Sequence, residues 1–157
     1  STFTVLLPCR LAQQAPASQL SADTGTFSLE GRRFLLAEDN FLNMEIATEL
    51  LTMEGAAITP VQNGREAVDA FASSAPGAFD AIILDIQMPV LDGYGAARAI
   101  RALPRPDAQT IPILAMTANA FTDDISAARE AGMNGHIAKP VDIGRIKAVL
   151  ATVLPSR

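Results

Sequence analysis

Residues 79–95 read FDAIILDIQMPVLDGYG, and this stretch sets the fold. From Phe79 to Ile86 the chain is apolar nearly throughout rather than alternating, and it has strand length. A run of that kind suits a strand covered on both faces, as the strands of a parallel sheet are. It ends in Asp85. A helical pattern then spans about Gly93 to Leu103 and stops at Pro104. Gly93-Tyr94-Gly95 is too short and misplaced to cradle a phosphate, and reads as a helix-start and packing feature.

The same alternation repeats on either side. Further apolar runs lie at Phe34–Ala37, Ala56–Val61, Ile111–Thr117 and Gly135–Ala138. Asn40 can cap a first helix, with Ile46, Ala47, Leu50 and Leu51 on its core face and Gly55 as its stop. A second helix runs from about Gly64 to Ser74. Asp123 and Asp124 open a fourth that Gly132 closes, and a fifth covers about Asp142 to Val153 with Ile143, Ile146, Val149 and Leu150 inward. Strict β-α alternation implies an α/β fold, a doubly wound five-stranded parallel sheet with helices on both faces. The expected strand order is flavodoxin-like, 2-1-3-4-5. Residues 9–31 are rich in Ala, Gln, Ser and Thr without a sustained period, and read as a linker.

Composition narrows the function. The chain has 157 residues, 49% hydrophobic, with a formal net charge of -5. That charge disfavours binding nucleic acid, which needs a basic face. No apolar run reaches the ~18 residues of a membrane span, and STFTVLLP lacks the marks of a signal peptide. A cytoplasmic location without membrane contact is expected. The single cysteine, Cys9, excludes an internal disulfide and a Cys-cluster metal site. It reads as an inert linker residue, and the five Met read mostly as gap-filling core.

In an open α/β sheet, ligands bind beyond the carboxyl ends of the strands, near the switch in strand order. The first strand ends in Glu38-Asp39, the third in Asp85, the fourth in Thr117 and the fifth in Lys139-Pro140. In the expected order these ends are neighbours, so three carboxylates, a hydroxyl and an ammonium converge. Glu38-Asp39 alone would read as a helix N-terminal charge feature. Three converging carboxylates instead need raised pKa values or a cation. Oxygen ligands suit a hard divalent ion, and Mg2+ best. Asp85 is then a carboxylate nucleophile forming an acyl phosphate, with Lys139 and Thr117 partnering the phosphoryl oxygens. No GxxxxGK[ST] is present. A haloacid-dehalogenase-type phosphatase typically carries a second Asp two residues after the first, where this chain has Gln87.

LLAEDN, IILDIQMPVLDGYG, IPILAMTANA and AGMNGHIAKP together resemble response-regulator receiver domains over residues 32–154. EDNxxN (Glu38–Asn43) and MTANA (Met116–Ala120) look most like receivers of hybrid sensor histidine kinases. The resemblance implies that Glu38 and Asp39 bind Mg2+ with Asp85 and the backbone carbonyl of Gln87, and that Asp85 is the phospho-acceptor. It makes Thr117 the switch hydroxyl and Lys139 the motif lysine, with a cis bond to Pro140 that aims the ammonium into the site. Gln87 and Asn119 would tune hydrolysis. His136 stands where many receivers carry Tyr or Phe as a conformational reporter, a departure from that pattern.

STFTVLLP (residues 1–8) resembles the last strand of a histidine-kinase ATP-binding domain, which makes it a remnant of that domain before the linker. Phe41 and Leu42 lie off the core face of the first helix beside the acidic pair. They suggest a docking surface for a histidine phosphotransfer protein or a kinase phosphotransfer domain, with loop packing as the plain alternative. The expected function is a phosphorelay receiver that takes phosphoryl from phosphohistidine, catalyses its own modification and then changes partner affinity. A non-phosphorylated docking module controlling its parent kinase is the alternative, disfavoured by the complete acidic pair, Asp85 and Lys139.

Overall fold

The computed structural model describes residues 27–118 and 122–155. The elements run β1 (Arg33–Ala37), α1 (Phe41–Met53), β2 (Ala57–Val61), α2 (Gly64–Ser73), β3 (Ala81–Asp85), α3 (Gly93–Arg101), a 3-10 turn (Pro106–Gln109), β4 (Ile113–Thr117), α4 (Thr122–Glu130), β5 (Gly135–Ala138) and α5 (Ile143–Val153). The strands form one parallel sheet in the order 2-1-3-4-5, as expected.

Strand side chains alternate faces, and both faces are covered. Leu35, Ile82, Leu84, Ile113 and Ala115 pack with Phe71, Ala96 and Ile100 from α2 and α3. Phe34, Leu36, Ile83, Leu114 and Ile137 pack with Ala47 and Leu51 of α1 and with Ile146 and Leu150 of α5. That is why β3 and β4 are apolar at every position up to the residue that ends them.

Helix starts follow one rule. Asn40, Asn63, Asp92 and Asp142 cap α1, α2, α3 and α5, each side chain accepting the backbone N–H three residues on. Each cap satisfies a donor that the first helical turn leaves open.

Three expectations shift. Ile46 is 40% exposed rather than in the core. Ala47 and Leu51 set the inward line of α1, and Ile46 is turned from it by roughly 100°. β2 is largely exposed rather than covered on both faces, because it is an edge strand. The packed unit also starts before Arg32. Leu29, read as linker, is fully buried in the α1–α5 core, and Phe27 packs against that core with the Arg32 guanidinium over its ring.

Pro60 interrupts β2 without harming it. The Ala57 N–H donates to the Arg32 carbonyl at 2.8 Å and the Val61 carbonyl accepts from the Glu38 N–H at 3.1 Å. Residues 57, 59 and 61 therefore address β1, and Pro60 faces away, where its missing N–H costs the ladder nothing.

A polar strap joins distant loops on the other face. The Arg105 guanidinium stacks on the Phe71 ring with 4.2 Å to its centroid, and donates to the Phe71 and Ser74 carbonyls at the end of α2. It also grips Asp107 through Nε at 2.6 Å and through Nη2 at 2.8 Å, and Asp107 accepts the Gly77 N–H at 2.9 Å.

Candidate functional site

The carboxyl ends of β1, β3, β4 and β5 surround a polar cleft of about 310 Å³. Glu38, Asp39, Asp85, Gln87, Thr117 and Lys139 all line it. One register explains the meeting: Ala37 pairs with Leu84, Asp85 with Met116 and Thr117 with Ala138, so each strand ends at the same level. Gly93 makes the β3 end possible. A Cβ there would run into the Asp85 carbonyl oxygen, while its N–H donates to the Ile86 carbonyl at 3.1 Å. The α3 start is thus pressed directly against the acceptor strand.

Charge in the cleft is shared through one ammonium. Lys139 Nζ lies 2.7 Å from Glu38 Oε2 and 2.9 Å from Asp85 Oδ2. The other Asp85 oxygen accepts the Gln87 N–H at 3.3 Å. Burial pushes the Asp85 carboxyl above 3.8; the Lys139 hydrogen bond and the Gln87 N–H oppose this, and the Glu38 charge adds to it. Burial also acts to lower the Lys139 ammonium, yet its bonds to Glu38 and Asp85 prevail and hold it above 10.5. Glu38 and Asp85 are buried and Asp39 is exposed at the mouth.

Oxygens of Glu38, Asp39 and Asp85 all lie within 4.8 Å of one another. A hard, oxygen-only donor set with an open mouth fits a small divalent cation that retains water ligands. It does not fit a soft or nitrogen-preferring metal.

The Lys139–Pro140 peptide is cis, as the sequence predicts. Thr117 is buried at the cleft wall. His136 is set behind it, lining a small cavity with Thr117, Tyr94 and Asp124, whose backbone carbonyl accepts the Tyr94 hydroxyl at 3.4 Å. Phe41 and Leu42 are 73% and 62% exposed beside the acidic pair, and Ile46 joins them on the outer side of α1. Asn119 lies outside the described residues. Sequence reasoning assigned no site role to Asn40, Asn43 or Asp124, which also line the cleft. Asn43 had a signal in the EDNxxN spacing, one helical turn past the acidic pair.

The family model for the response regulator receiver domain matches residues 34–151. The chain belongs to the response regulator receiver family. Among curated proteins, the receiver is 35% identical over 123 residues to hybrid signal transduction histidine kinase I of Dictyostelium discoideum, covering 77% of this chain and 7% of that one. It is 33% identical over 157 residues to histidine kinase 1 of Arabidopsis thaliana, covering 81% and 13%. The receiver thus spans a small part of the length of these relatives. Among solved structures it resembles the receiver domain of a sensor histidine kinase from Pseudomonas aeruginosa, which has a magnesium ion coordinated in its active-site cleft. That likeness has 36% identity and a TM-score of 0.70, covering 78% of this chain and 97% of that one. It also resembles the response regulator Ssk1 receiver in complex with the histidine phosphotransfer protein Ypd1 of Saccharomyces cerevisiae. There the identity is 26% and the TM-score 0.67, covering 78% and 88%. The chain is a receiver domain of two-component and phosphorelay signalling, related to the receivers of hybrid histidine kinases.

Proposed function

We propose that Asp85 accepts a phosphoryl group from a phosphohistidine, with Mg2+ held by Glu38, Asp39, Asp85 and the Gln87 carbonyl. The observation that carries this reading is the single ammonium bridging Glu38 and Asp85 at 2.7 and 2.9 Å, beside a cluster of three carboxylates formed by Glu38, Asp39 and Asp85. An Asp85 oxygen forms a bond to phosphorus as the phosphorus–nitrogen bond breaks, and the electron pair leaves on the imidazole. Lys139 then turns from Asp85 to a phosphoryl oxygen, and the Thr117 hydroxyl donates to another. Magnesium bound by these residues would supply positive charge to the phosphoryl oxygens. Gln87 and Asn119 set the rate at which water reaches the acyl phosphate, and the cavity shared by Thr117 and His136 relays the change to the surface.

The partner we propose is a four-helix histidine phosphotransfer bundle or the phosphotransfer domain of a kinase, docking on Phe41 and Leu42. Support comes from their exposure at the rim of the cleft and from the Ypd1 complex of a similar receiver. The receiver would serve in the cytoplasm as part of a hybrid histidine kinase, with residues 1–8 belonging to the preceding ATP-binding domain. No helix among the described residues is long and apolar enough to cross a membrane.

Acetyl phosphate with Mg2+ tests the acceptor. The wild-type chain should gain an acid-labile modification that Asp85→Asn abolishes. No Asp85-dependent change in mass would leave a docking module that never carries phosphate. In the same assay, Phe41→Ser with Leu42→Ser should slow transfer from a phosphotransfer protein about tenfold, a loss of roughly 1.4 kcal/mol, and spare acetyl phosphate labelling. Equal loss of both activities would refute docking through these residues.

A further inference from the structure

We propose that Asn43 is a positioning residue that orients the Glu38 carboxylate and through it sets the affinity of the site for magnesium. The inference rests on the magnesium reading above.

Glu38 closes β1 with one more methylene than an aspartate would have, so its carboxylate has one more torsion to fix. In the cleft both of its oxygens are engaged. Oε2 faces Lys139 at 2.7 Å. Oε1 accepts the Asn40 backbone N–H and the Asn43 side-chain amide, each at 3.3 Å. Asn43 is the third residue of α1. In a capping box, a side chain at that place reaches back to the N–H of the cap residue. Here Glu38 takes that N–H from outside the helix, and the Asn43 amide closes the other side of the same oxygen.

The helix does not need this amide. Its cap is the Asn40 Oδ1 accepting the backbone N–H of Asn43 at 3.1 Å, a bond that any residue but proline can make at 43. The side chain of Asn43 is therefore directed at Glu38 while its backbone serves α1. It lines both the cleft and a smaller cavity of about 80 Å³ beside Lys139 and Pro140. Without the amide, Oε1 keeps one long backbone bond, and the carboxylate is free to follow Lys139 or to rotate away from Asp39 and Asp85. Groups that orient a metal ligand from behind change affinity without touching the ion.

The test is a Mg2+ titration of the intact chain without any phosphodonor, followed by calorimetry or backbone NMR shifts. Asn43→Ala should weaken Mg2+ binding about tenfold. Acetyl phosphate labelling should then need correspondingly more Mg2+ for half-maximal rate, with the rate at saturating Mg2+ largely kept. Asn63→Ala, which removes the cap of α2 without lining the cleft, controls for lost stability and should leave Mg2+ affinity unchanged. A melting point lowered in Asn43→Ala with wild-type Mg2+ affinity would overturn the proposal and leave Asn43 a structural residue. A wild-type chain that does not respond to Mg2+ would instead remove the magnesium reading and this inference with it.

Discussion

Val90, in the loop between Asp85 and α3, has a φ of 70 and is 83% exposed. The Leu91 N–H donates to the Pro89 carbonyl at 2.8 Å, which closes a γ-turn centred on Val90. A positive φ at the centre of a γ-turn is strained, and more so for a β-branched side chain. Such strain is of order 1–3 kcal/mol, and glycine returns part of it through its more flexible unfolded chain. Val90→Gly should therefore raise stability by about 1 kcal/mol in urea unfolding. No gain would mean that the turn is held by something other than this backbone geometry. The loop residues around Val90 show where sequence reading succeeds and fails. Asp85, Thr117 and Lys139 were legible because each ends an apolar run, and the sheet delivers such ends to one level. Asn43 was not, although its spacing was visible, because its role depends on which Glu38 oxygen is left over once Lys139 has taken the other.

Helices were legible at their starts, Asn40 announcing the first and Asp142 the last, and less so in their facing. Ile46 was assigned inward by its hydrophobicity, and the register set by Ala47 and Leu51 turned it out. The 3-10 turn at Pro106–Gln109 escaped notice because its meaning lies in residues far away in the chain. Arg105 and Asp107 look like an ordinary exposed pair until α2 brings Phe71, Ser74 and Gly77 beside them. The strap has a pH signature. The hydrogen bonds from Arg105 hold the Asp107 carboxyl at about 2 against burial, with help from the Gly77 N–H. A carboxylate whose folded pKa is depressed stabilises the fold above its unfolded pKa, and that stabilisation is lost as pH falls. Asp107→Asn should thus be less stable than wild type at neutral pH. The gap should narrow from about pH 4 down toward pH 2. Urea unfolding of both chains across that range checks this, and a constant gap would count against the ion pair as its cause.

At the scale of the whole molecule, the sheet order and the buried two-sided core were readable from the five apolar runs, since a fully apolar strand needs cover on both faces. The outer limits were not. Residues 27–31 look like linker because they carry polar neighbours and no period, yet Leu29 is fully buried with Leu51, Leu150 and Leu154. A single anchoring residue leaves no pattern to detect. Leu29→Ala should cost about 2–4 kcal/mol, as deletion of a core leucine does. A chain starting at Arg32 should be destabilised by at least as much. Loss under 1 kcal/mol in thermal or urea unfolding would show that the fold ends at β1 after all.

Pro60 bears on how many such molecules live side by side. An open sheet has two margins, and a margin with a full row of donors and acceptors invites a foreign strand to continue it. On the outward side of β2, Pro60 presents a carbonyl with no N–H to match. A strand laid along that margin would lose a bond midway and meet a rigid ring. The residue thus discourages fibre-like stacking of neighbouring sheets, through the lack of one hydrogen atom.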